Sequence, residues 1–117
     1  MAEHKDLTES YIEVTSHDFA EQVLNASNMV VVDFSSERSS SCQFFDPEFA
    51  AVSKEYGGRV TFAKLDVDAN EALTNEWNVD GIPTLIFFKN GQEINRVKGI
   101  VMRDKLRRQI EGALLAT

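Results

Sequence analysis

One cysteine, Cys42, is all the thiol chemistry that this chain of 117 residues possesses. An internal disulfide is therefore excluded, and so is a cysteine-based metal cage, which needs several sulfur ligands at set spacings. The two histidines, His4 and His17, have no Cys or His at ligand spacing, so neither a metal nor any other cofactor is expected. Long apolar runs are missing too. The run around Met29 to Phe34 has the length of a strand, far short of a bilayer span. Basic charge is in deficit: 12 Lys and Arg face 19 Asp and Glu, for a net charge of −7. Such a surface repels phosphate backbones and anionic lipid, so neither nucleic acid nor membrane is an expected partner. The basic cluster Arg103, Lys105, Arg107 and Arg108 reads as the solvated face of a last helix. The opening MAEHKDLTES is polar and mixed in charge, with no apolar core of a secretory leader. A cytoplasmic, monomeric protein is the expectation, with residues 1–10 a flexible N-terminal extension and residues 11–117 one domain.

What the chain does have is core material. Hydrophobic residues make up 43% of it and charged residues 26%, a balance that folds, and eight phenylalanines supply bulk. Tyr11 to Thr15 alternates as a short strand. Thr15 and Ser16 can cap a helix whose apolar stripe is Phe19, Val23 and Leu24. The unbroken run Met29 to Phe34 suits a strand covered on both faces. Beyond a polar loop from Ser35 to Ser41, a helical pattern runs from about Cys42 to Tyr56, with Phe45, Phe49 and Val52 on one face. Pro47 should kink it, and Gly57-Gly58 should end it. A second central strand lies within Arg59 to Val67, and a short helix runs from Ala69 to Trp77. The strand Thr84 to Phe88 is turned back by Asn90-Gly91, and Glu93 to Lys98 returns. After Gly99 a last helix buries Leu106, Ile110 and Leu114. The order β-α-β-α-β-α-β-β-α predicts an α/β domain with a mixed sheet covered on both faces.

These same residues resemble the thioredoxin family. Val30 to Phe34 is similar to the strand that feeds the family's redox loop, and Pro47 to the proline inside its active-site helix. Ala63 to Asp68, the segment Asn78-Val-Asp-Gly-Ile-Pro-Thr84, the hairpin Phe87 to Gly91, and Gly99 match in order, from about Tyr11 to Leu115. The resemblance implies a thioredoxin fold of five strands and four helices, with a cis peptide bond before Pro83.

The departure lies in the loop. Anchored on Asp33, Phe34 and Pro47, the stretch Arg38-Ser39-Ser40-Ser41-Cys42 stands where the family reads Trp-Cys-Gly-Pro-Cys. The second cysteine is Cys42. The first, which attacks a substrate disulfide from a helix N-terminus as a thiolate, is Ser39. The resemblance gives Asp33 and Lys64 a proton-transfer role toward Cys42, which would be shielded and slow to react. It gives Arg38, Ser40, Ser41, Ile82 and Pro83 a surface for an extended segment of a partner protein. Two readings follow: a thioredoxin-like protein that binds without catalysis, or a protein-disulfide reductase in a Cys-to-Ser form. A third, a one-cysteine sensor, fits less well, because the family's one-thiol members keep the first cysteine. Within these motifs Phe45 belongs to the core, Trp77 serves packing, and Asp66 and Asp68 lack the spacing of a calcium loop.

Overall fold

The computed structural model describes residues 10–117. The expected N-terminal extension, apart from Ser10, lies outside the described residues.

Strand β1 (Tyr11–Val14) leads through a tight turn into α1 (Ala20–Leu24), a π-helical segment in which the Asn25 amide donates to the Ala20 carbonyl at 2.9 Å. Thr15 caps this entry as expected, its Oγ1 accepting the His17 amide hydrogen at 3.2 Å, with a tight turn over residues 16–18 before the π-helical segment. The Thr15 amide donates to Asp18 Oδ1 at 2.8 Å, and the Ser16 amide donates to Asn70 Oδ1 at 2.9 Å. The first bond closes the capping turn, and the second ties it to the segment before α3.

Strand β2 (Met29–Ser35) is buried along its whole length. Helix α2 (Ser40–Ser53) follows, then β3 (Val60–Asp66), α3 (Glu71–Glu76), β4 (Thr84–Lys89), β5 (Gln92–Lys98) and α4 (Arg103–Ala116). The sheet order is β1-β3-β2-β4-β5. The β1–β3 and β3–β2 pairs are parallel, and the β2–β4 and β4–β5 pairs are antiparallel. Asn90 and Gly91 turn the hairpin with φ of 54° and 79°, the left-handed pair that a two-residue turn requires.

Strand periodicity splits β2 between two cores. Met29 and Val31 face one side, with Phe45, Phe49 and Val52 of α2, Phe62 of β3, and Leu106 and Ile110 of α4. Val30, Val32 and Phe34 face the other, with Phe19, Val23, Ile86 and Phe88. Asp33 shares the first side, one step beyond Val31, so a carboxyl enters the layer between the sheet and α2.

Two expectations about α4 change. Its buried line is Leu106, Ile110 and Ala113, with Leu114 only partly covered. At 3.6 residues per turn, a strict four-residue step drifts off the buried face, and the three-residue step to Ala113 corrects it. The basic cluster is more than a solvated face. Arg103 Nε meets Glu48 Oε1 at 3.0 Å and Arg107 meets Glu55 at 2.7 Å, so α4 is laced to α2. The hydrogen bonds from these arginines draw Glu48 and Glu55 below the ordinary glutamate range.

Candidate functional site

The C-terminal end of β2 delivers the chain into Ser36–Ser39 and then α2. Ser39 is extended (φ −92°, ψ 122°), and its Oγ accepts the Cys42 amide hydrogen at 3.2 Å. It is therefore the N-cap, which satisfies one of the orphan amides of the helix start. This explains why α2 begins at Ser40, two residues before the expected start. Ser40 and Ser41 follow in the first turn and are exposed, whereas Cys42 is 2% exposed. Helix rotation accounts for the split, because Cys42 shares a face with Phe45, Asp46 and Phe49. Helix α2 continues through Pro47 to Ser53. Pro47 lacks the amide that would bond the Gln43 carbonyl, so the ladder is broken there without ending the helix.

Alanine at Ser39 removes that cap. We expect Ser39→Ala to lose about 1 kcal/mol of stability, read from the urea midpoint, with Ser40→Ala close to neutral.

Arg38 projects into solvent, and its guanidinium lies 3.4 Å from Asp68. Asp68 also accepts a hydrogen bond from Ser36 Oγ. The Ser36 bond and then Arg38 hold the Asp68 carboxyl below its usual range. Asp68 thus fastens both ends of the loop that precedes the cap, a role that its place on the chain did not suggest.

Asp33 is completely buried, and neither carboxylate oxygen has a hydrogen-bond partner among the described residues. Burial, the dominant influence, pushes its pKa up to about 7, with Lys64 opposing and Asp46 reinforcing the rise. Lys64 stands opposite Asp33 in the β2–β3 register. Its Nζ, however, donates to both Asp46 oxygens at 2.9 Å. Burial works against the Lys64 charge, but Asp46 above all, with Asp33 and Cys42, outweighs it and raises the pKa. The four side chains form one electrostatic cluster at the Cys42 face of α2. The lysine of the expected proton relay is thus bonded to Asp46. Asp46 escaped the sequence reading, although its place four residues after Cys42 puts both on one helix face.

Ile82 and Pro83 are joined by a cis peptide bond. Thr84, the next residue, pairs with Phe34 in the β2–β4 register, which puts Pro83 at the same end of the sheet as the serine loop. The Gly99 amide donates to the Pro83 carbonyl at 2.8 Å, and Thr84 Oγ1 donates to the Gly81 carbonyl. Pro83 is buried and Ile82 partly exposed. Phe45 lies wholly in the core, and Phe44 beside it is 59% exposed. Trp77 packs edge-on against Phe88 at 5.0 Å between ring centroids.

The thioredoxin family model matches residues 10–112. Thioredoxin from Mycolicibacterium smegmatis is 35% identical over 105 residues, a match covering 88% of this chain and 94% of that protein. Chloroplastic thioredoxin X from Arabidopsis thaliana is 36% identical over 104 residues, 87% of this chain, which spans 57% of that relative's length. The solved structure of Malassezia sympodialis thioredoxin is similar with a TM-score of 0.80 at 33% identity, covering 90% of this chain and 91% of that one. The sheet order, the helix placement and these matches agree: the chain has the thioredoxin fold and belongs to the thioredoxin family.

Proposed function

We propose that this chain is a member of the disulfide-exchange lineage that has given up dithiol exchange and binds an extended segment of a partner protein at its Pro83 face. One observation carries the reading: an oxygen, Ser39 Oγ, occupies the helix tip and accepts the Cys42 amide hydrogen. Exchange begins when a thiolate attacks a substrate disulfide, forms a mixed disulfide and expels the other sulfur as a thiolate. A serine hydroxyl ionises far less readily than a thiol and forms no lasting bond with sulfur. Cys42, the remaining thiol, is shielded by its own helix and the sheet. Partner binding is supported by the exposed serines at 40 and 41 and the accessible apolar side chains of Phe44 and of Ile100, next to Gly99. The single thiol fits a reducing cytoplasm, and the net charge of −7 fits a monomer that avoids nucleic acid and membrane surfaces.

A second reading, a reductase in a Cys-to-Ser form, is favoured by the presence of Asp33, Lys64, Cys42 and Pro83 together. Reduction of insulin disulfides, with dithiothreitol supplying electrons, separates the two. The chain as it stands is expected to show no turnover above the dithiothreitol background. Turnover by Ser39→Cys supports a reductase silenced by one atom, and silence in both forms supports the binding module. Robust turnover by the unaltered chain overturns the proposal.

A further inference from the structure

Three charged side chains compete around one ammonium group. Lys64 stands opposite Asp33 across the parallel β2–β3 pair and opposite Glu13 across β1–β3. From α2, Asp46 reaches down and takes the ammonium with both oxygens at 2.9 Å. Asp33 is left with two oxygens that bond nothing among the described residues, in a layer otherwise built of Val31, Phe45, Phe49 and Leu85. An ionised carboxylate is costly in such a place unless a cation or donors meet it. Nothing from β4 can do so, because the residue opposite Asp33 there is Leu85. Lys64 is the cation in register to serve, and it is engaged elsewhere.

We propose that Asp46 is a positioning residue: by holding the Lys64 ammonium at the α2 side, it keeps the buried Asp33 carboxyl without a counter-ion. The assignment deepens the reading of a silenced redox site and rests on it for its functional meaning. Below its raised pKa the Asp33 carboxyl holds its own proton and cannot receive one from Cys42, so over that range the surviving thiol is also denied its base. The charged groups that act on Asp33 are Lys64 from β3 and Asp46 from α2, and Cys42 of α2 acts on the same Lys64. Glu13 of β1, Glu37 of the loop before α2 and Asp66 of β3 line the cleft of about 280 Å³ into which Lys64 opens, and they are the other anions that the ammonium could turn to.

The experiment follows the Asp33 carboxyl by carbon NMR through a pH titration of the whole chain, unaltered and in four variants. In Asp46→Asn the freed ammonium can approach Asp33, and the Asp33 midpoint should fall by about 1 pH unit or more. In Asp46→Glu, which restores a carboxylate partner for Lys64, most of that fall should be recovered. Lys64→Met alone should raise the midpoint, and adding Asp46→Asn to Lys64→Met should then move it little. An unchanged midpoint in Asp46→Asn overturns the proposal. An equal fall with and without Lys64 also overturns it, because Asp46 would then act only as a neighbouring like charge. Asp46 is part-exposed, and the urea midpoint of each variant verifies that it is folded. No substrate or thiol reaction enters the titration, so its outcome is independent of what Ser39→Cys does in the insulin assay.

Discussion

Asparagine in place of Asp33 should make the protein more stable at about pH 8 by up to about 4 kcal/mol and nearly neutral at about pH 4. The fold lifts this carboxyl from 3.8 to about 7, mainly by burial. Below the lower value both folded and unfolded chains hold the proton, and ionisation costs nothing. Between the two, the unfolded chain releases its proton while the folded chain keeps it, so stability falls as pH rises. Above the folded value both are ionised and the penalty is complete. About three pH units correspond to about 4 kcal/mol, a large share of the roughly 5–15 kcal/mol that holds a domain together. The amide is close to isosteric with the protonated acid and cannot ionise, so the penalty vanishes with it. Urea unfolding of both forms from acid to mildly alkaline pH measures the difference. Parallel curves would show that the Asp33 charge is met by partners that the geometry does not reveal. Glu48, Glu55 and Asp68, whose pKa values are lowered, act with the opposite sign. Their contribution is present above the unfolded carboxylate range and lost as pH falls through the folded one. It cancels in the comparison, because both forms retain them.

Phe49→Ala should cost about 3–5 kcal/mol. Phe49 is 1% exposed, and its ring centroid lies 5.6 Å from Tyr11, 5.9 Å from Phe45 and 5.6 Å from Phe62. It therefore joins α2 to both β1 and β3, and alanine leaves a void bounded by three rigid rings that cannot easily close. The comparison is Phe44→Ala, five positions earlier on the same helix, with its ring in solvent; its effect should stay within about 0.5 kcal/mol. Denaturant midpoints at constant slope check both. A comparable loss at Phe44 would mean that this ring is covered in solution.

The element order was legible because two periodicities alternate cleanly along the chain. Met29 to Phe34, all but the last residue of β2, read as an apolar run, and Asn90-Gly91 announced its turn in two letters. Boundaries were less legible where side chains override pattern. Ser39 advances the start of α2 by capping it, and Asp18 bonds back to the Thr15 amide in a turn that precedes the π-helical segment of α1. The site roles of Ser39, Cys42, Asp33 and Pro83 were expected from the resemblance, and Asp33 also stands out as a carboxyl inside an apolar run. That of Asp46 could not be expected, because its importance arises from a partner 18 residues away on another element. Periodicity ranks residues by face and says nothing about which of two carboxylates captures a lysine. The same holds for Arg103 and Arg107, whose partners on α2 depend on how the two helices pack.

Among the described residues the sheet is open at both margins, and open margins invite other chains to add a strand. On one side lies β1, with only four residues and a glutamate, Glu13, in its span. On the other lies β5, where Glu93, Arg96 and Lys98 fall within seven residues. Arg96 is further fixed by Glu93 and by the carbonyls of Trp77 and Asn78. A newcomer docking along either border would meet a ledge too short to hold it or a row of charges it would have to strip of water. The architecture that brings Pro83 and the serine loop together at one end thus also guards its flanks against self-assembly into fibrils.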